Sequence, residues 1–119
     1  MQVKTRDDTK NLTVSNLSSN VILTITIGNA QLGANVLQFK GAPDVFAKGT
    51  ITNLDLGPGL ALRGKTLNII TNILDHNPST NGVVATYFFS GCTPSASLFS
   101  DTVDNDGDIF SVSTDFIFS

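Results

Sequence analysis

Apolar and polar positions alternate with a period of two over most of this chain, the repeat of an extended strand whose successive side chains point to opposite faces. From Val21 to Ile27 the positions Val21, Leu23, Ile25 and Ile27 are apolar, with Thr24 and Thr26 between them. Leu67, Ile69 and Ile73 share one parity of the run Lys65 to Leu74, and Val83, Ala85, Tyr87 and Phe89 share one parity of the run Val83 to Ser90. The last run, Ile109 to Phe118, places Phe110, Val112, Phe116 and Phe118 on one face. Further extended pieces are expected at Leu12 to Leu17, at Ala34 to Phe39, at Val45 to Leu56 with an interruption at Gly49 that marks a bulge, at Leu60 to Leu62 and at Ser97 to Val103. No run has a 3.6-residue apolar period with capping residues.

Turn residues separate these runs, at Ser18-Ser19, Gly28-Asn29, Gly41-Ala42-Pro43-Asp44, Gly57-Pro58-Gly59, Gly91-Cys92-Thr93-Pro94 and Asp104-Asn105-Asp106-Gly107-Asp108. The runs before and after the loop Asp75 to Gly82 read as a β-hairpin. Both also carry apolar residues on the second parity, Ile70, Leu74, Val84 and Phe88, which predicts central strands or a second face covered by a partner. The pattern implies an all-β protein: an antiparallel β-sandwich of about 7–9 short strands, immunoglobulin-like or jelly-roll-like. A small closed barrel is the alternative, because the sequence does not show whether the first and last strands pair.

A length of 119 residues provides for one core and not for two ordinary ones. Residues 11–119 are expected to form the single sandwich domain, preceded by a polar lead over residues 1–10, flexible or an edge segment. Composition strengthens the all-β reading. Every acidic residue is Asp, so the good helix former Glu is missing, and Thr, Val, Ile and Phe suit pleated half-buried positions.

The segment Gly64-Lys65-Thr66-Leu67-Asn68-Ile69, then Asp75-His76-Asn77-Pro78 and Asn81-Gly82-Val83-Val84, resembles the pattern in bacterial immunoglobulin-like adhesion and cell-surface modules. The likeness covers Gly64 to Gly91 and implies a sandwich fold; the Cys and Trp pattern of antibody-type domains is absent, with one Cys and no Trp.

Charge narrows the function classes. Only 14% of residues are charged, against roughly 25% in ordinary soluble domains, and the formal net charge is -3. Lys and Arg occur singly or in pairs, without the cluster a phosphate backbone requires, so nucleic acid is not an expected partner. No apolar run approaches the ~20 residues that span a bilayer, and Met1 to Lys10 lacks the apolar core of a secretory signal, so a soluble protein with no membrane partner is expected. The sequons at Asn11 and Asn16 read as chance matches in a chain rich in Asn and Thr.

Catalysis has little to work with. The lone Cys92 and lone His76 lie at opposite ends of an eight-residue run, roughly 25 Å apart at ~3.3 Å per residue, too far for a thiolate–imidazole dyad. No Gly-x-Ser-x-Gly elbow or phosphate-cradling loop is present. The chain is therefore read as non-enzymatic. The candidate metal residues are Asp75, Asp104, Asp106 and Asp108, with Asp101 near them, because the two loops that hold them should emerge at one end of an antiparallel fold. Such hard oxygen ligands suit Ca²⁺. The spacing departs from the known calcium loop, with Thr102 first and Ser113 at the bidentate position, so solvated turn aspartates are the competing reading.

Asn11 to Phe39 and Asn77 to Ser100 contain no charge at all. Assembly surfaces are depleted of charge in this way, whereas exposed strands normally carry it. The leading expectation is a protein–protein interaction or structural assembly module, working as a homo-oligomer or with a protein partner. Its candidate contact strands are Val21 to Ile27 and Val83 to Phe89.

Overall fold

The inward parity of the long runs supplies the core, and two sheets close on it. The structure is a computed structural model describing residues 1–119. Its elements are β1 (Val3–Val14), β2 (Asn20–Ile27), β3 (Leu32–Phe39), β4 (Ala47–Gly49), β5 (Leu54–Pro58), the single turn α1 (Gly59–Leu62), β6 (Thr66–Leu74), β7 (Gly82–Ser90), β8 (Cys92–Thr93), β9 (Ala96–Thr102) and β10 (Ile109–Phe118). The larger sheet has the order β4-β3-β6-β10-β1-β8 and the smaller β5-β2-β7-β9. This is the expected β-sandwich, not a closed barrel.

Leu23, Leu67, Ile69, Val83, Tyr87, Phe89, Val112 and Phe116 are fully or almost fully buried, as their parity predicts. The aromatic side chains knit the two layers together. Phe116 stands 5.1 Å from the Tyr87 ring and 4.8 Å from the Phe89 ring, and Phe99 packs on Phe110 at 5.1 Å. A polar strut crosses the same core. Thr71 Oγ1 donates to Asn35 Oδ1 at 2.8 Å, leaving the Tyr87 hydroxyl to donate to Thr71 at 2.7 Å. Every partner lies on an inward position, so the buried hydroxyls are satisfied by strands of both sheets.

The structure differs from the sequence reading in four places. The segments flanking Asp75 to Gly82 are not a hairpin: β6 belongs to the larger sheet and β7 to the smaller, so the loop carries the chain across the sandwich. Alternation reports which side chains are buried, not which neighbour pairs with a strand, and a crossing leaves the same pattern as a hairpin. The interruption expected at Gly49 within Val45 to Leu56 is a full break and not a bulge: Gly49 sits at φ +96° and ends β4, and β5 begins only at Leu54. Leu60 to Leu62 is helical, not extended. It is tucked in where Gly59, 2.5 Å from Asn16 O measured from an ideal Cβ, leaves no room for a side chain.

The fourth difference concerns the polar start, which is the edge segment of the two alternatives but belongs to the sandwich instead of preceding it. Residues 3–10 are part of β1, which runs parallel to β10 from Val3↔Ile109 to Leu12↔Phe118. The first and last strands thus pair inside one sheet without closing a barrel, in the only parallel ladder of the fold. The first part of β1 has no apolar pattern because its inward-parity residues Lys4, Arg6, Asp8 and Lys10 are charged, a device that protects an edge strand from unwanted pairing. No helix is long and apolar enough to cross a membrane.

Candidate interaction face

The outward residues of β2, β7 and β9 form a face without charge. Register places them in rows: Thr24 opposite Phe88 opposite Ala96, Thr26 opposite Thr86 opposite Leu98, and Val84 opposite Ser100. Two large apolar side chains stand out of it, Phe88 at 44% and Leu98 at 60% exposure. The first charge reached is Asp55 on β5, at the margin, where its carboxylate accepts from Asn20 Nδ2 and Gly57 N–H, both at 2.8 Å. Both strands singled out in the sequence, β2 and β7, are adjacent here, and Thr24 and Phe88 are direct cross-strand partners. The contribution of β9 was not foreseen. Its outward residues Ala96, Leu98 and Ser100 give too weak an apolar signal, although they continue the uncharged stretch.

The outer face of the larger sheet is different in kind. Lys40 pairs with Asp115 at 2.6 Å, and Asp7 and Lys48 are exposed there. Burial raises the Asp115 carboxyl, but hydrogen bonds from Lys40 and Asn68 outweigh it and hold the group below its ordinary range.

The aspartate-bearing loops do meet at one end. Asp75 N–H donates to Asp108 O and Gly107 N–H donates to Asp75 O, both at 2.9 Å. The carboxylates themselves are directed elsewhere, and no three Asp, His or Cys side chains come together as a metal-holding group. Asp108, 4% exposed, accepts the backbone N–H of Gln2 at 2.8 Å and of Asn105 at 3.0 Å. The Gln2 bond is the largest influence on its carboxyl and, with the Asn105 bond, keeps it below the ordinary range against the opposing effect of burial. Asp104 and Asp106 are exposed, and Asp104 lies 3.5 Å from Lys4.

Asp75, 2% exposed, accepts Gln31 Nε2 through Oδ1 at 2.8 Å, while its Oδ2 has no partner. Gln31 is the hub of this end. Its amide nitrogen also faces Gly82 O at 3.0 Å and Thr80 O at 3.2 Å, and its carbonyl accepts the N–H groups of His76 at 2.7 Å and Asn77 at 2.8 Å. A neutral nitrogen therefore stands among the oxygens that would otherwise face a cation. Nothing in the sequence distinguishes Gln31 from a surface glutamine, since its partners lie far along the chain.

Cys92 and His76 remain apart, with the nine residues of β7 between the ends where they sit. Cys92 is buried, and burial pushes its thiol up, away from the reactive thiolate. No protein-family model, curated protein or solved structure matches this chain.

Proposed function

We infer that this chain is a non-enzymatic module that works by protein–protein contact, as a component of a homo-oligomer or larger assembly, through the uncharged outer face of the smaller sheet. The observation that carries the reading is the alignment of Thr24, Phe88 and Ala96 in one row of a face that holds no charge between the Asp55 margin and the free edge of β9. A sheet face turned to water usually intersperses charge with its Thr and Ser, and interface cores are depleted of charge.

Solution mass by light scattering, across protein and salt concentrations, is the test. The expected result is a multimer that Thr24→Lys or Phe88→Lys dissociates with an unchanged far-ultraviolet spectrum, because both side chains point away from the core. Lysine variants that assemble like the parent, with a self-assembling parent, sink the face as the contact site.

A calcium-binding role at the Asp75 and Asp104 to Asp108 loops is the second reading, supported by one atom, the unpartnered Asp75 Oδ2. Ligand that binds only the native state raises the melting midpoint. An identical midpoint in millimolar calcium and in chelator removes this reading.

A further inference from the structure

The open side of the sandwich exposes two strand edges of different chemistry. Phe89 N–H donates to Ser95 O and Val103 N–H to Asn81 O, so the odd residues of β9 bond to β7 and the even residues turn their N–H and C=O outward. Thr102 is already satisfied, its N–H by Asp101 Oδ1 at 2.8 Å and its carbonyl by Lys4 Nζ at 3.1 Å. Pro94, at the other end, has no N–H to offer. Between them Ala96, Leu98 and Ser100 present an open edge with no neighbouring strand.

In β1 the parity is the reverse. Ile109 N–H donates to Gln2 O and Ser119 N–H to Leu12 O, so even residues bond to β10 and the odd residues from Val3 to Asn11 face outward. Strand β8 covers only Thr13 and Val14.

The two edges lie on the same side of the sandwich. Phe99 packs on Phe110 of β10 and also lies 5.4 Å from the guanidinium of Arg6 on β1, so β9 faces that side of the larger sheet. A two-fold axis running along the strands and beyond β1 brings the β1 of a second copy alongside β9, where adjacent strands lie about 4.8 Å apart. Lys4 reaches Thr102 and Thr13 pairs with Thr93, so β1 runs antiparallel to β9, and this axis preserves that direction. Even residues of β9 and odd residues of β1 both place their side chains on outer faces, so the faces match as well.

We propose that a second copy of this chain fills the open side, β9 of each copy adding antiparallel to β1 of the other, with Ser100 opposite Thr5 and Leu98 opposite Asp7. The proposal rests on the contact-module reading above and names its partner and one contact. Charge complementarity favours this register: the one charge of β9, Asp101, stands beside Lys4 of the second copy, and Phe99 beside Arg6 of the second copy. Sliding β9 the other way drives it toward the edge that β8 already holds.

The experiment mixes chains carrying Thr5→Cys with chains carrying Ser100→Cys under mild oxidation. Directly opposed strand residues of a hydrogen-bonded pair have Cα atoms about 5.5 Å apart, within disulfide reach. The expected result is a covalent dimer of twice the 12.6 kDa chain from the mixture and none from either variant alone, since the two positions meet each other and not themselves. Ser100→Pro removes only an outward N–H, so it should keep the β7–β9 ladder and the circular dichroism spectrum while abolishing the dimer. A strict monomer at every concentration overturns the proposal. So does a multimer that Phe88→Lys dissociates but Ser100→Pro leaves intact and the cysteine mixture fails to trap; in that case the face reading stands without it.

Discussion

Gln31 shows how much one side chain can organise when it is placed at a crossing. The loop from Asp75 to Gly82 has no ladder of its own, and two of its backbone N–H groups and two of its carbonyls converge on that one amide. Replacing it by Leu keeps the volume roughly constant but leaves the His76 and Asn77 N–H groups and the Asp75 carboxylate without their partner. An orphaned buried polar group costs about 1–3 kcal/mol, so Gln31→Leu should lower stability in urea unfolding by at least about 2 kcal/mol. A loss within error of zero would show that water replaces the amide at no cost. Tyr87 is the matching case in the core, where burial raises its phenol and hydrogen bonds with Thr71 and Thr114 oppose that rise. The sequence places Tyr87 on the correct face, yet the partners that make its hydroxyl tolerable lie on other strands.

At the scale of elements, period-two alternation identified β2, β3, β6, β7, β9 and β10 with nearly the right limits, because each buries one parity against the opposite sheet. It failed where another requirement overrode burial. The inward side of β1 is charged from Lys4 to Lys10 because that strand forms an edge, so only its end, from Leu12 to Val14, carries an apolar signal. Two-residue β8 exists only because the chain touches β1 on its way from β7 to β9, a long-range event with no local cause. The contact face was legible in outline: the uncharged stretches and the strands β2 and β7 were visible, and Thr24 and Phe88 could be chosen from alternation alone. The convergence of the aspartates was legible only as far as the loops. Their carboxylates turned to backbone N–H groups, to Gln31 and to Lys4, choices that depend on three-dimensional placement.

At the scale of the whole molecule, the two edges on the open side differ in how they are protected. Strand β1 concentrates Lys4, Arg6, Asp7, Asp8 and Lys10, while β9 has a single charge and relies on Lys4 and Asp101 to close one end. The parallel pairing of β1 with β10 has a mechanical consequence. The ladder runs from Val3↔Ile109 to Leu12↔Phe118, so the start of one strand and the end of the other point in opposite directions along the same axis. Tension applied through the two ends of the domain therefore loads this ladder in shear, over about 33 Å, and its hydrogen bonds must yield together instead of unzipping in turn. Single-molecule pulling from the ends should give one high-force rupture, and Asp8→Pro, which removes an N–H directed at β10, should lower that force sharply while an Asp7→Pro change on the outward parity lowers it less. Equal losses from the two substitutions would mean that the force is borne elsewhere in the sandwich.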